Sequence, residues 1–66
     1  MHIVLNGDRR EVPDDTTLAK LLDTLELRGG RFAVEINEEL IPRSEHAAHA
    51  LRADDRVEVV QAIGGG

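Results

Sequence analysis

Leu18, Leu21, Leu22 and Leu25 fall at i, i+3, i+4 and i+7, the spacing of one apolar stripe on a helix. Such a stripe has to be covered by another apolar surface, and the flanking segments supply one. Residues 2–6 form a short apolar-rich run with Ile3 and Leu5 on one face. Phe32, Val34 and Ile36 alternate within residues 32–37, and Val57 and Val59 alternate within residues 56–62. Each run reads as a strand with one inward face. Asn6-Gly7 marks a hairpin, because both residues tolerate positive φ. Residues 9–12 are then the return strand, and Pro13-Asp14-Asp15 ends the pairing. Asn37-Glu38-Glu39 reads as a turn, and Leu40-Ile41 as a short strand ended by Pro42. The order strand, strand, helix, strand, short strand, strand predicts a two-layer α+β architecture. It has a mixed sheet of four to five strands packed on one main helix.

The helix start is placed at Thr16 or Thr17, either of which can cap it, with Asp14 and Asp15 at its positive end. Gly29-Gly30 is the expected stop, since glycine accepts the left-handed conformation found just past helix ends. Residues 44–50 have room for one or two helical turns, and Ala53-Asp54-Asp55 is a further turn.

At 66 residues the chain is one domain, large enough to fold alone but too small to enclose a deep ligand pocket. It has no cysteine, which removes disulfides and thiolate metal sites. The N-terminal apolar run is shorter than a signal-peptide core and no run reaches the ~20 apolar residues of a membrane span. A soluble cytoplasmic protein is expected, with no membrane partner. The net charge is −5, the arginines are scattered, and Phe32 is the only aromatic residue. That pattern argues against nucleic acid; the acidity either steers the chain toward basic partners or simply keeps a small protein soluble.

Side-chain chemistry is sparse. Ser44 is the only serine, and a nucleophilic serine needs a positioned base. His46 and His49 would share a helical face, yet two histidines without a cysteine or a placed carboxylate fall short of the usual ligand sets; they read as surface residues. Glu38-Glu39 and Asp54-Asp55 are neighbours whose side chains diverge, so they read as solvated turns and not as acid/base pairs. No catalytic residue and no metal ligand is assigned.

Gly64-Gly65-Gly66 is different. Three consecutive glycines have a chance of about one in three thousand at average usage, and they follow a strand without a polar linker. Side-chain-free backbone can approach another surface closely. From Val60 to Gly66 an extended tail reaches about 23 Å at ~3.3 Å per residue, enough to thread a narrow tunnel into another protein's active site. A terminal glycine carboxylate is ionised at neutral pH and must be activated before a nucleophile can attack it. Conversion to an acyl-adenylate would do this, and sulfur could then displace AMP to leave a thiocarboxylate. An inert flexible tail is the alternative reading of the same three residues.

Several stretches resemble one family. They are Thr17-Leu18 with Leu21-Leu22, the run Ala33-Val34-Glu35-Ile36-Asn37, then Ile41-Pro42-Arg43-Ser44, and finally Val57-Glu58-Val59-Val60-Gln61-Ala62-Ile63 running into the glycines. Together they resemble the ThiS family, sulfur carriers of thiamine biosynthesis within the ubiquitin-like β-grasp superfamily. The resemblance covers essentially the whole chain. It departs from the family at Asp54-Asp55, where Gly-Asp is usual, so that turn is expected to differ in backbone type, and in its third glycine. It implies a β-grasp domain over residues 1–63 and a Gly-Gly-Gly tail over residues 64–66. Gly66 would be the site of adenylation and thiocarboxylation, with Gly64 and Gly65 completing the tail motif. The chain would be a protein co-substrate and not an enzyme, binding no cofactor itself. A ThiF-type adenylating enzyme would use ATP and magnesium, a sulfur relay from cysteine desulfurase would supply sulfur, and a ThiG-type thiazole synthase would receive it. Similarity to ubiquitin also implies that partners grip the sheet face near the tail, at Val4, Val60, Ala62 and Ile63. Carriers for molybdopterin, for sulfur amino acids or for tRNA thiolation share this chemistry, and a ubiquitin-like protein modifier shares the tail. These remain open from the sequence.

Overall fold

A computed structural model describes residues 1–27 and 31–61. Its elements in chain order are β1 (His2–Leu5), β2 (Asp8–Glu11), α1 (Leu18–Asp23), β3 (Phe32–Ile36), β4 (Glu39–Leu40), a 3₁₀ turn (Arg43–Glu45) and β5 (Arg56–Gln61). The five strands form one sheet in the order β2-β1-β5-β3-β4. β1 and β5 are parallel, with Val4 opposite Arg56, while β1–β2, β3–β5 and β3–β4 are antiparallel. This is the mixed-sheet β-grasp arrangement expected from the sequence.

Both hairpins turn on two residues of positive φ, Asn6 (49°) with Gly7 (86°) and Asn37 (53°) with Glu38 (69°). Turns of that hand match the right-handed twist of the strands they join. Because loop Asn37-Glu38 is only two residues long, Glu39 pairs with Ile36, so β4 begins one residue before the expected Leu40-Ile41. Ile41 is instead buried beyond the strand, and its N–H donates to the Val34 carbonyl at 2.9 Å.

Alternation puts Ile3, Leu5, Val34, Ile36 and Val57 on one sheet face, where they meet Leu18, Leu21 and Leu22 of α1 together with Ile41 and Leu51. Five of these side chains are essentially sealed from solvent, Ile3, Leu18, Leu21, Val34 and Val57. Burying each contributes about 1.5–3 kcal/mol against exposure.

Thr17 is the N-cap, its hydroxyl accepting from Lys20 N–H at 3.3 Å. Thr16 is buried and donates to the Pro13 carbonyl at 2.7 Å. The unpaired N–H groups of the first turn are met from outside the helix. Leu18 N–H donates to the His49 carbonyl and Ala19 N–H to the His46 carbonyl, at 2.8 and 3.0 Å. This satisfies donors that a helix cannot pair internally.

The helix stops sooner than the four-leucine stripe suggests. It ends at Asp23 with Thr24 as C-cap, not at Gly29-Gly30, which lie outside the described residues. The Thr24 hydroxyl donates back to the Leu21 carbonyl at 2.6 Å, and such back-bonding competes with helical hydrogen bonding. Leu25 therefore packs on the core from the connection, half-buried, and not from the helix. Among the described residues no helix is long and apolar enough to cross a membrane.

Candidate functional site

β5 is the central strand, and the glycine tail continues from it. Ala62, Ile63, Gly64, Gly65 and Gly66 lie outside the described residues, so the geometry concerns the root from which they emerge. β1 flanks β5 only as far as Leu5 opposite Val57, after which β1 enters its turn. Asn6 extends the ladder beyond that point. Its N–H donates to the Val57 carbonyl and its side-chain carbonyl accepts from Val59 N–H, at 2.9 and 2.8 Å. An amide side chain thus replaces the missing strand residue and satisfies a donor that would otherwise lack a partner. The positive φ that forms the hairpin also aims Asn6 at β5.

On the other side β3 pairs with β5 from Val57 to Gln61, with Phe32 opposite Gln61. Phe32 is itself held. The Arg43 guanidinium lies 4.8 Å from its ring centroid, and the His46 ring stacks on it at 6.2 Å and 28°. A cation over an aromatic face is attracted by the ring quadrupole. His46 is not the surface residue the sequence suggested. It is buried, and its Nε2 lies 3.1 Å from the Ile41 carbonyl, so that nitrogen carries the proton and donates. Its burial follows from Ile41-Pro42-Arg43, which wraps the 3₁₀ turn back over the start of β3. His49 is half-buried, and no group of three metal-binding side chains occurs among the described residues.

Asp54-Asp55 also differs from a solvated turn. Asp55 is buried and accepts from Asn37 Nδ2 at 3.0 Å and from Arg52 N–H at 2.8 Å. Asn37 in turn accepts from Arg56 N–H at 3.0 Å. The network ties the Asn37-Glu38 hairpin to the turn that launches β5. Asp54 has φ +69°, the left-handed conformation a glycine would take. The turn therefore keeps the backbone type suited to Gly-Asp despite the aspartate.

Val4 and Val60 both lie on the sheet face opposite α1, Val4 half-buried and Val60 62% exposed. They are not adjacent. Val4 stands between Arg9 and Arg56 in the register, and Val60 is four residues farther along β5, about 13 Å at ~3.3 Å per residue. The nearest partner of Val60 is Ala33. Sequence reasoning missed Asn6 and the Phe32 stack, since Asn6 bonds across 53 positions and nothing local marks it.

The chain is similar to several known proteins. The chain is 38% identical over 66 residues to a thiazole synthase of Paramagnetospirillum magneticum (strain ATCC 700264 / AMB-1), of which it spans only 20%. It is 30% identical to the sulfur carrier protein ThiS of Escherichia coli (strain K12), with both chains covered whole. The crystal structure of a thiamine biosynthesis protein (ThiS) from Geobacter metallireducens superimposes with a TM-score of 0.84 at 28% identity, covering 100% of each chain. A model of the ThiS family matches residues 3–66. The overall fold match and the family match over nearly the full length agree, and the chain belongs to the ThiS family.

Proposed function

We propose that this chain is a sulfur carrier of thiamine biosynthesis, a protein co-substrate and not an enzyme. Residues 1–63 act as the β-grasp handle and residues 64–66 as the reactive tail. The observation that carries this reading is the central strand β5, held by β3 up to Gln61 and by Asn6 up to Val59, leading into Gly64-Gly65-Gly66. A fixed root lets a partner locate the handle and find the tail's end at a defined distance.

The Gly66 carboxylate attacks the α-phosphate of ATP in a ThiF-type enzyme. Magnesium there offsets phosphate charge, and pyrophosphate leaves. The terminal sulfur of a persulfide from a cysteine desulfurase relay then attacks the carbonyl carbon and AMP departs; a thiol cleaves the resulting acyl disulfide, becoming part of a disulfide itself and leaving the thiocarboxylate. A ThiG-type thiazole synthase takes the sulfur. That acceptor is supported by two thiazole synthases, each matched over all 66 residues of this chain and over 20% of its own length. The tail needs backbone freedom and no side chains.

Intact mass after incubation with a ThiF-type enzyme, ATP, magnesium and a sulfur donor tests the reading. The expected result is a gain equal to sulfur replacing one oxygen, absent when Gly66 is deleted. No gain, with an enzyme active on its own carrier, would overturn it.

A further inference from the structure

β5 loses its neighbours one at a time toward its end. β1 accompanies it to Val57, and Asn6 carries that side on to Val59. Beyond Val59, among the described residues, β5 pairs with β3 alone, Ala33 opposite Val60 and Phe32 opposite Gln61. Phe32 is also the first residue of β3, so no strand residue precedes it to hold this final pair. Strand ends of that kind open more readily than strand centres.

The hold on the pair comes from off the sheet. Alternation along β3 puts Phe32 on the same face as Val34 and Ile36, the face that meets α1. There the Arg43 guanidinium lies 4.8 Å from the centroid of the Phe32 ring, and the His46 ring stacks on it. Arg43 opens the 3₁₀ turn and His46 is its C-cap. That turn is fastened in its own right. The His46 carbonyl accepts from Ala19 N–H of α1, and His46 N–H donates to the Arg43 carbonyl at 3.2 Å. A series of contacts therefore runs from α1 through the 3₁₀ turn and the Phe32 ring to Gln61, where the described strand ends. Arg43 is exposed and lies outside the core cluster, so its place in this series is separable from the packing of the domain.

We infer that Arg43 is a positioning residue for the tail: through the Phe32 ring it keeps the final β3–β5 pairing closed and so fixes the point from which the tail starts. With the pairing closed, the length beyond it is residues 62–66. With Ala33–Val60 and Phe32–Gln61 open, it is residues 60–66, and ordering the extra length opposes uptake of the tail by a partner. The bearing on adenylation rests on the carrier reading above, whereas the hold on the pairing does not.

Hydrogen exchange followed by NMR on the full chain, beside adenylation kinetics with a ThiF-type enzyme and ATP, tests this. Arg43→Ala should speed exchange at the Val60 amide about two- to fivefold. The Val59 amide, held by Asn6 from the other side, should keep the parent's rate. Arg43→Lys, which keeps a cation for the ring, should restore part of the protection. Phe32→Leu should reproduce the loss, and the double variant should add nothing to it, because both act through the ring. In the kinetics, Arg43→Ala should raise KM for the chain by a similar factor and leave kcat unchanged, the mark of lost binding and not of lost chemistry. Unchanged exchange at Val60 overturns the inference. Exchange at Val59 rising in step with Val60 also overturns it, since that marks general destabilisation. Faster exchange at Val60 with an unchanged KM overturns the positioning role. A parent chain that is never adenylated overturns the carrier reading, while the exchange rates still decide whether Arg43 holds the pairing.

Discussion

At the scale of single residues, backbone conformation is where this chain carries avoidable strain. Asp54 and Glu38 both hold φ +69°, a region that costs residues with a Cβ about 1–2 kcal/mol. Replacing either with glycine removes that cost but loosens the unfolded chain, so each change should stabilise by about 0.5–1 kcal/mol. Thermal unfolding followed by circular dichroism would show a midpoint raised by a few degrees. Gly7 gives the reciprocal case. It has φ +86°, and a Cβ added there would meet nothing within 4 Å. Gly7→Ala should destabilise by about 1 kcal/mol through backbone strain alone, with the core unchanged. Asn6-Gly7 announced its turn in the sequence because both residues suit it. Asp54 did not, because aspartate in a turn is equally at home with negative φ, and only the fold decides the sign.

At the scale of elements, one side chain completes a ladder. Asn6→Ala removes the acceptor for Val59 N–H and the residue type that tolerates φ 49°. A cost of about 1–2 kcal/mol is expected, with faster hydrogen exchange at the Val59 amide, while Asn6→Asp should keep both protection and stability. Strand identities were readable because burial on one face imposes a period of two, visible in Ile3/Leu5 and Val34/Ile36. The length of α1 was not, because Leu25 keeps the helical spacing while the Thr24 hydroxyl turns back to Leu21. His46 and Asp55 looked like surface residues for a related reason. Their burial depends on partners supplied by the fold, Phe32 and Ile41 for one and Asn37 for the other, and no local pattern encodes these.

At the scale of the molecule, the domain divides into a covered face and an open one. A change at Val60, on the open face and 62% exposed, should leave folding intact. Val60→Glu is expected to impair tail transfer while circular dichroism stays that of the parent. Loss of the folded signal would instead assign Val60 a structural role. The glycine tail was the plainest candidate in the sequence, whereas the separation of Val4 from Val60 on the open face became visible only once the register was set.

The sheet order has a consequence for how the molecule comes into being. β5 lies between β1 and β3, yet it follows the four other strands of the sheet in the chain and emerges after them. Until residues 56–61 emerge, β1–β2 and β3–β4 are two hairpins with no strand to join them. Closing the sheet then requires contacts of long sequence separation, which form late. The strand from which the proposed reactive tail would extend is thus the one whose insertion finishes the sheet, so under that proposal a chain that has not closed its sheet has no anchored root for the tail.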